Sequence, residues 1–201
     1  MKHILIILFA LMHCAVAGDG KFTPLFDGKT LNGWTPTPGG KWEVRDGVIV
    51  GTSPRSEKRH GILLSDRQYT NFVVKAQFRA VQGDSGFYFR VQRVNHAVSV
   101  RGFQVEVDTT QETGGLYETL GRGWVHKPTP EVIKQRKYRP GEWTDLELSA
   151  IDGNLTVKIN GVVSTRLTND KGSPSGHFGL QLHGSADLHV EFRNLKIKEL
   201  K

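Results

Sequence analysis

Three short segments of the sequence set chemistry-bearing side chains at every second position, opposite a run of apolar ones. In Asp84-Ser85-Gly86-Phe87-Tyr88-Phe89-Arg90, Phe87 and Phe89 share one face, and Gly86, Tyr88 and Arg90 share the other. In Gly102–Asp108, Phe103, Val105 and Val107 alternate with Gln104, Glu106 and Asp108. In Phe178–His183, Leu180 and Leu182 alternate with Gln181 and His183. A period of two is the pattern of a strand with one buried face. If these strands adjoin, Tyr88, Arg90, Gln104, Glu106, Asp108, Gln181 and His183 form one polar patch. Amides and rings of this kind suit a sugar, whose hydroxyls want paired donors and acceptors and whose C–H faces stack on aromatics. Glu106 and Asp108 stand two residues apart on one face, roughly 6.6 Å along the backbone. At that range two carboxyl groups can divide acid and base roles. Arg90 is an ion-pair partner for either of them.

A second group follows in Thr113-Gly114-Gly115-Leu116-Tyr117-Glu118 and Gly121-Arg122-Gly123-Trp124. The glycines permit tight turns and close backbone approach. Tyr117 and Trp124 offer stacking surfaces, and Arg122 lies between them as a further substrate contact. No cofactor is demanded. A divalent cation on Glu106, Asp108 and His183 stays open, although no close spacing of ligands calls for one. Nucleophile elbow, phosphate loop and dinucleotide fingerprint are all missing.

The elements that position these residues read as strands almost throughout. Phe72, Val74, Ala76 and Phe78 alternate with polar partners, as do Leu155, Val157 and Ile159, and Leu188, Val190 and Phe192. Asp46-Gly47, Asp152-Gly153-Asn154 and Asn160-Gly161 punctuate them, two of the three at hairpin spacing. Many short strands with regular turns predict an all-β sandwich or jelly roll of antiparallel sheets. The stretch from Trp124 to Gly141, with three prolines, reads as a long irregular loop.

The first residues read as an export signal. Lys2 precedes an apolar run from Ile4 to Met12, and Ala15-Val16-Ala17 supplies small residues for cleavage after Ala17. Residues 18–201 then form a single domain in a secreted or periplasmic protein. A lipoprotein anchored at Cys14 is a weaker alternative, because His13 is bulky where a small residue belongs. Cys14 is the one cysteine of the chain, so no disulfide framework supports the core. No later run is long enough to span a bilayer. The net charge of +7 favours solubility. An exported chain without a recognised nucleic-acid motif is not expected to bind nucleic acid. The expected partner is a small-molecule or oligosaccharide substrate; the oligomeric state is not encoded legibly.

The same segments resemble the 3-keto-disaccharide hydrolase domain family, from about Phe22 to Leu200. The resemblance rests on Phe22-Thr23-Pro24-Leu25-Phe26-Asp27-Gly28-Lys29-Thr30-Leu31-Asn32-Gly33-Trp34, on Trp42–Ile49, and on Gly179-Leu180-Gln181-Leu182-His183 with Phe192-Arg193-Asn194-Leu195. It implies a concanavalin-A-like jelly roll and activity on a keto sugar. The chain departs from the pattern at Asp84 and Thr144, where many members carry Asn, and at Gln104, where many carry Glu. In the implied chemistry a C3 ketone acidifies the C2 proton, a base removes it, and the C1 substituent leaves. Glu106 or His183 is then the expected base, Asp108 or His183 the acid, and Arg90 or a cation the enolate's partner. Two alternatives accompany this reading: a noncatalytic glycan-binding module, and a conventional β-glucanase working through Glu106 and Asp108.

Overall fold

A computed structural model of the chain describes residues 20–201. The segment read as an export signal, with Cys14, lies outside the described residues. Two antiparallel sheets stack face to face. Sheet 1 runs in the order β13 (Val162–Leu167), β12 (Asn154–Ile159), β11 (Thr144–Ile151), β6 (Asn71–Gln82), β15 (Leu188–Leu200), β4 (Val48–Ser53) and β3 (Lys41–Arg45), with β1 (Thr23–Pro24) also on β15. Sheet 2 runs β10 (Gly123–His126), β9 (Leu116–Thr119), β8 (Val100–Asp108), β7 (Asp84–Arg93), β14 (Gly176–Leu182), β5 (Gly61–Tyr69) and β2 (Trp34–Pro36). The three chemistry-bearing segments are therefore β8, β7 and β14, side by side at the middle of one sheet.

The alternation seen in the sequence becomes the core. Phe72, Val74, Ala76 and Phe78 of β6 face Phe87, Phe89, Phe103, Val105 and Phe178 of sheet 2, all buried. Phe178 stitches the layers together, with ring centroids 4.8 Å from Phe72 and 4.9 Å from Tyr69. Asp46-Gly47 and Asn160-Gly161 each close a two-residue hairpin with φ positive at both positions, which Asp, Asn and Gly tolerate best. The outer face of sheet 1 is charged and paired: Glu147 binds Lys75 at 3.0 Å and Lys158 at 2.8 Å.

The stretch 124–141 is not wholly irregular. It holds β10 and a short helix, α1 (Pro130–Gln135), whose start is fixed by Thr129 accepting from the Val132 N–H and by an early proline. Just after α1, Arg136 is buried and donates to the carbonyls of Thr113 and Gln111. The long loop thereby anchors the turn between β8 and β9. Among the described residues no helix is long and apolar enough to cross a membrane.

Candidate active site

Strand register aligns the polar side chains of sheet 2 in rows. Tyr88 lies opposite Gln104, Gln104 opposite Tyr117, and Tyr117 opposite Trp124. In the next row Glu106 lies opposite Gly86, and in the next Asp108 opposite Asp84. On the other side of β7, Leu180 pairs with Phe87, which sets Gln181 and His183 of β14 and its end beside this face. These rows floor a cleft of about 390 Å³, with His60, Val98, Glu112, Thr119 and Leu120 in its walls. Tyr117 and Trp124 form one rim, edge to face at 5.5 Å, and His60 and His183 another, with centroids 4.2 Å apart.

Gly86 opens the middle of that floor. A Cβ built there would meet Gln104 Oε1 at 2.7 Å and Gln181 Oε1 at 3.2 Å. Both contacts are ends of side chains, so Gly86→Ala should fold, with the two amides pushed aside. We expect a stability change within about 1 kcal/mol but at least about tenfold weaker binding of any ligand that reaches this floor, read by thermal unfolding and calorimetry.

Burial governs the electrostatics. Asp84 and Glu106 share a hydrogen bond, and both are held above the ordinary carboxylate range, first by desolvation and then, for Glu106, by the charge of Asp84. The pair therefore keeps a proton at neutral pH. Glu106 also accepts from the Gln104 amide at 3.1 Å. Asp84 is the less buried of the two and is drawn toward its charged form by Glu106 and His183, so the shared proton belongs on Glu106. No N–H or hydroxyl of the protein donates to Asp84 Oδ1, which is buried. Burial lowers the pKa of His60 to about 4, and His183 and His96 add to the effect, so His60 is neutral at pH 7. His183 Nδ1 donates to the Gly184 carbonyl at 2.7 Å, leaving Nε2 with a lone pair when the ring is neutral.

This arrangement has a stability consequence. A carboxyl whose folded pKa exceeds its unfolded value binds its proton more tightly when folded, so stability is greatest below the unfolded value and falls as pH rises toward the folded one. Wild type should lose stability between about pH 5 and 9 relative to Glu106→Gln, with a gap that widens by up to about 1.4 kcal/mol per pH unit. Urea unfolding of both proteins at pH 5, 7 and 9 reads this directly; a constant gap contradicts it.

Residues 21–198 match the family described as the 3-keto-alpha-glucoside-1,2-lyase-like domain. The chain belongs to this family. It is 23% identical to a 3-keto-disaccharide hydrolase of Bacteroides thetaiotaomicron, over 92% of this chain and 80% of that protein. The fold is shared with a candidate glycosyl hydrolase of Parabacteroides distasonis, at TM-score 0.69 and 24% identity over 90% of this chain and 94% of that one. It is also shared with the carbohydrate-binding module CBM66 of Bacillus subtilis, at TM-score 0.60 and 16% identity over 83% and 96% of the two chains. The family places the chain among carbohydrate-active proteins of glycoside-hydrolase type.

In this lyase-like domain the cleft gathers Tyr88, Gln104, Glu106, Tyr117, Trp124, Gln181 and His183 from the residues read in the sequence. Three others lie elsewhere. Arg90 has φ of 51°, at a register shift between Phe89 and Gln92 that breaks the alternation of β7. Its guanidinium turns away from the cleft and donates to the Thr70 carbonyl (2.8 Å) and the Asp152 carbonyl (2.7 Å), while Val91 packs with Tyr88 in its place. Arg122 is bound to Glu118 and to Asp170 at 2.9 Å, and lies over the Phe103 ring. Asp108 begins on the right face, but its carboxylate folds into the β8–β9 turn and accepts from the Thr110 N–H and hydroxyl and from the Thr113 hydroxyl at 2.6 Å. With Asp108 so occupied, Glu106, Asp108 and His183 do not converge as metal ligands, and among the described residues no three His, Asp or Glu do.

Asp84, His60 and Thr119, with Val98, Glu112 and Leu120, are cleft residues absent from the set expected from the sequence. Asp84 had a signal, since it shares the parity of Gly86 and Tyr88. His60 had none, because it arrives from the segment before β5.

Proposed function

We propose that this protein cleaves 3-keto glycosides by removing the C2 proton and expelling the C1 substituent, with Asp84 as base and Glu106 as acid. The observation that carries the proposal is the placement of two desolvated carboxyls, Asp84 and Glu106, side by side on the floor of one cleft, where burial favours a single shared proton. Such a pair offers one acceptor and one donor at the same pH. In the first half-reaction the Asp84 carboxylate takes the C2 proton, and the C–H electrons form the enolate of the C3 ketone. As the ketone reforms, a C1–C2 double bond forms, the C1–O bond breaks, and the departing oxygen takes the proton of Glu106. The pair has then exchanged roles with its proton count unchanged. Glu106 can next accept a proton from water as that water adds at C1, while C2 recovers its proton from Asp84. The sum is hydrolysis with net retention of the catalyst. His183, whose field already favours the charged form of Asp84, supports the starting state.

The departures of this chain from its family fit the same reading. The resemblance implies Glu at position 104 in many members and, separately, Asn at position 84 in many; this chain has Gln104 and Asp84, on neighbouring strands of one floor. The reading also includes export after cleavage at Ala17.

Incubation with a 3-keto glucoside deuterated at C2 tests the chemistry. We expect release of the aglycone, slowed severalfold by the C2 deuterium, and no cleavage of the unoxidised glucoside. Cleavage of ordinary β-glucan would instead indicate a glucanase, and tight binding without any cleavage a glycan-binding module; either result removes the elimination proposal.

A further inference from the structure

Two buried acceptors in the cleft have nothing to accept. Gln104 is 7% exposed and Gln181 3% exposed, and the Oε1 atom of each is buried with no hydrogen-bond partner. Their amide orientations follow from their partners. The Gln104 NH₂ donates to Glu106 at 3.1 Å. The Gln181 NH₂ lies 3.2 Å from Tyr88 Oη and 3.3 Å from His60 Nδ1, both able to accept. Tyr88 Oη then passes its own proton to the Thr119 hydroxyl at 2.9 Å. In this orientation each NH₂ faces groups that carry a lone pair. Both free oxygens instead point at the empty space over Gly86, within 3.2 Å of the position its missing Cβ would take.

A buried acceptor left unpaired costs about 1–3 kcal/mol, and one such group in a native protein calls for an explanation. Two of them, from different strands and aimed at one gap kept open by a glycine, point to a ligand that brings two donors. Lysine and arginine do not line this cleft among the described residues, whereas Asp84, Glu106 and Glu112 do. Apart from the two histidines, the ionisable groups at this end of the cleft are acidic, which favours an uncharged sugar over an anionic one.

We propose that Gln104 and Gln181 set specificity by accepting hydrogen bonds from two free hydroxyls of one uncharged sugar ring, which places the ring's keto oxygen away from them. This deepens the elimination reading, on which it rests for the keto group alone. A carbonyl brings no proton, so the oxidised position cannot satisfy either amide oxygen. Replacement of a hydroxyl by fluorine removes the donor and leaves the size nearly unchanged, and a site built to hydrogen-bond a hydroxyl discriminates strongly against its loss.

The test uses methyl 3-keto-glucosides carrying fluorine at one ring or side-arm hydroxyl at a time, and the matching unoxidised methyl glucosides for calorimetry. With wild type we expect two positions at which fluorine lowers kcat/KM, and affinity for the unoxidised sugar, by about ten- to a hundredfold each. Gln104→Met should erase the penalty at one position and Gln181→Met at the other. Fluorine tolerated within about twofold everywhere overturns the proposal without any variant, and so do folded variants that keep both penalties. If keto glycosides are turned over with no such penalty, elimination stands and the acceptor pair falls. If no keto glycoside is cleaved but unoxidised sugars bind with both penalties, the acceptor pair stands and elimination falls.

Discussion

Asp84→Asn and Glu106→Gln should each lower kcat for a 3-keto glycoside by about 10³-fold, with the fold intact and substrate affinity changed far less. Proton transfer by a positioned group contributes roughly 10²–10⁴-fold, and these two groups move the only protons the proposed steps require. Each substitution keeps the size of the side chain and removes its capacity to hold or give the shared proton. Because the groups act as one unit, the double variant should be little worse than the poorer single one. The elimination step should suffer in both variants, since the base is lost in one and the donor in the other. Retained turnover in folded Glu106→Gln would remove that residue from the mechanism; retained turnover in Asp84→Asn would do the same for the proposed base. A substrate with a leaving group that needs no proton, such as a nitrophenolate, separates the roles. It should rescue Glu106→Gln in large part and leave Asp84→Asn slow.

The second large effect concerns stability. Arg90→Ala should destabilise the protein by about 2 kcal/mol, while the folded fraction turns over substrate at the wild-type kcat. Arg90 is 3% exposed, and its donors satisfy the carbonyls of Thr70 and Asp152 together with the Asn71 side chain. Truncation takes the donors from the carbonyls of Thr70 and Asp152, two exposed residues whose carbonyls water can reach in part, and leaves a void beside the Phe72 ring, over which the guanidinium now sits at 5.8 Å. Arg90→Lys should recover little, because one ammonium cannot reach carbonyls on the two separate segments that the planar fork spans. Urea unfolding gives the stability change, and kcat at a temperature well below the transition gives the second half. A large fall in kcat without a fall in stability would return Arg90 to the chemistry.

The contrast between Arg90 and Glu106 shows where sequence reading ends. Both sit at even spacing on strands whose odd positions are core phenylalanines and valines, and pleating alone assigns them to one face. For Glu106 the strand stays regular and the assignment holds. For Arg90 a left-handed residue and a register shift reverse the parity within one step, and nothing local to the sequence announces it. Asp108 fails differently: its backbone lies on the expected face, but Thr110 and Thr113 close a turn that captures the carboxylate. That competition is between side chain and neighbouring backbone, and it is settled by where the chain turns.

The amino-acid sequence by itself determined the two-sheet architecture, the apolar face of each strand, the hairpins at Asp46-Gly47 and Asn160-Gly161, and most of the polar side chains that floor the cleft. These follow from local rules, the two-residue period of a strand and the few residues that tolerate positive φ. The tertiary structure alone decided that β8, β7 and β14 are neighbours, that Asp84 meets Glu106, that His60 comes to rest against His183, and that Gln104 and Gln181 turn bare oxygens toward Gly86. Strand order and the desolvation that raises a carboxyl's pKa depend on residues far apart in the chain, and only the assembled sheet brings them within reach of one another.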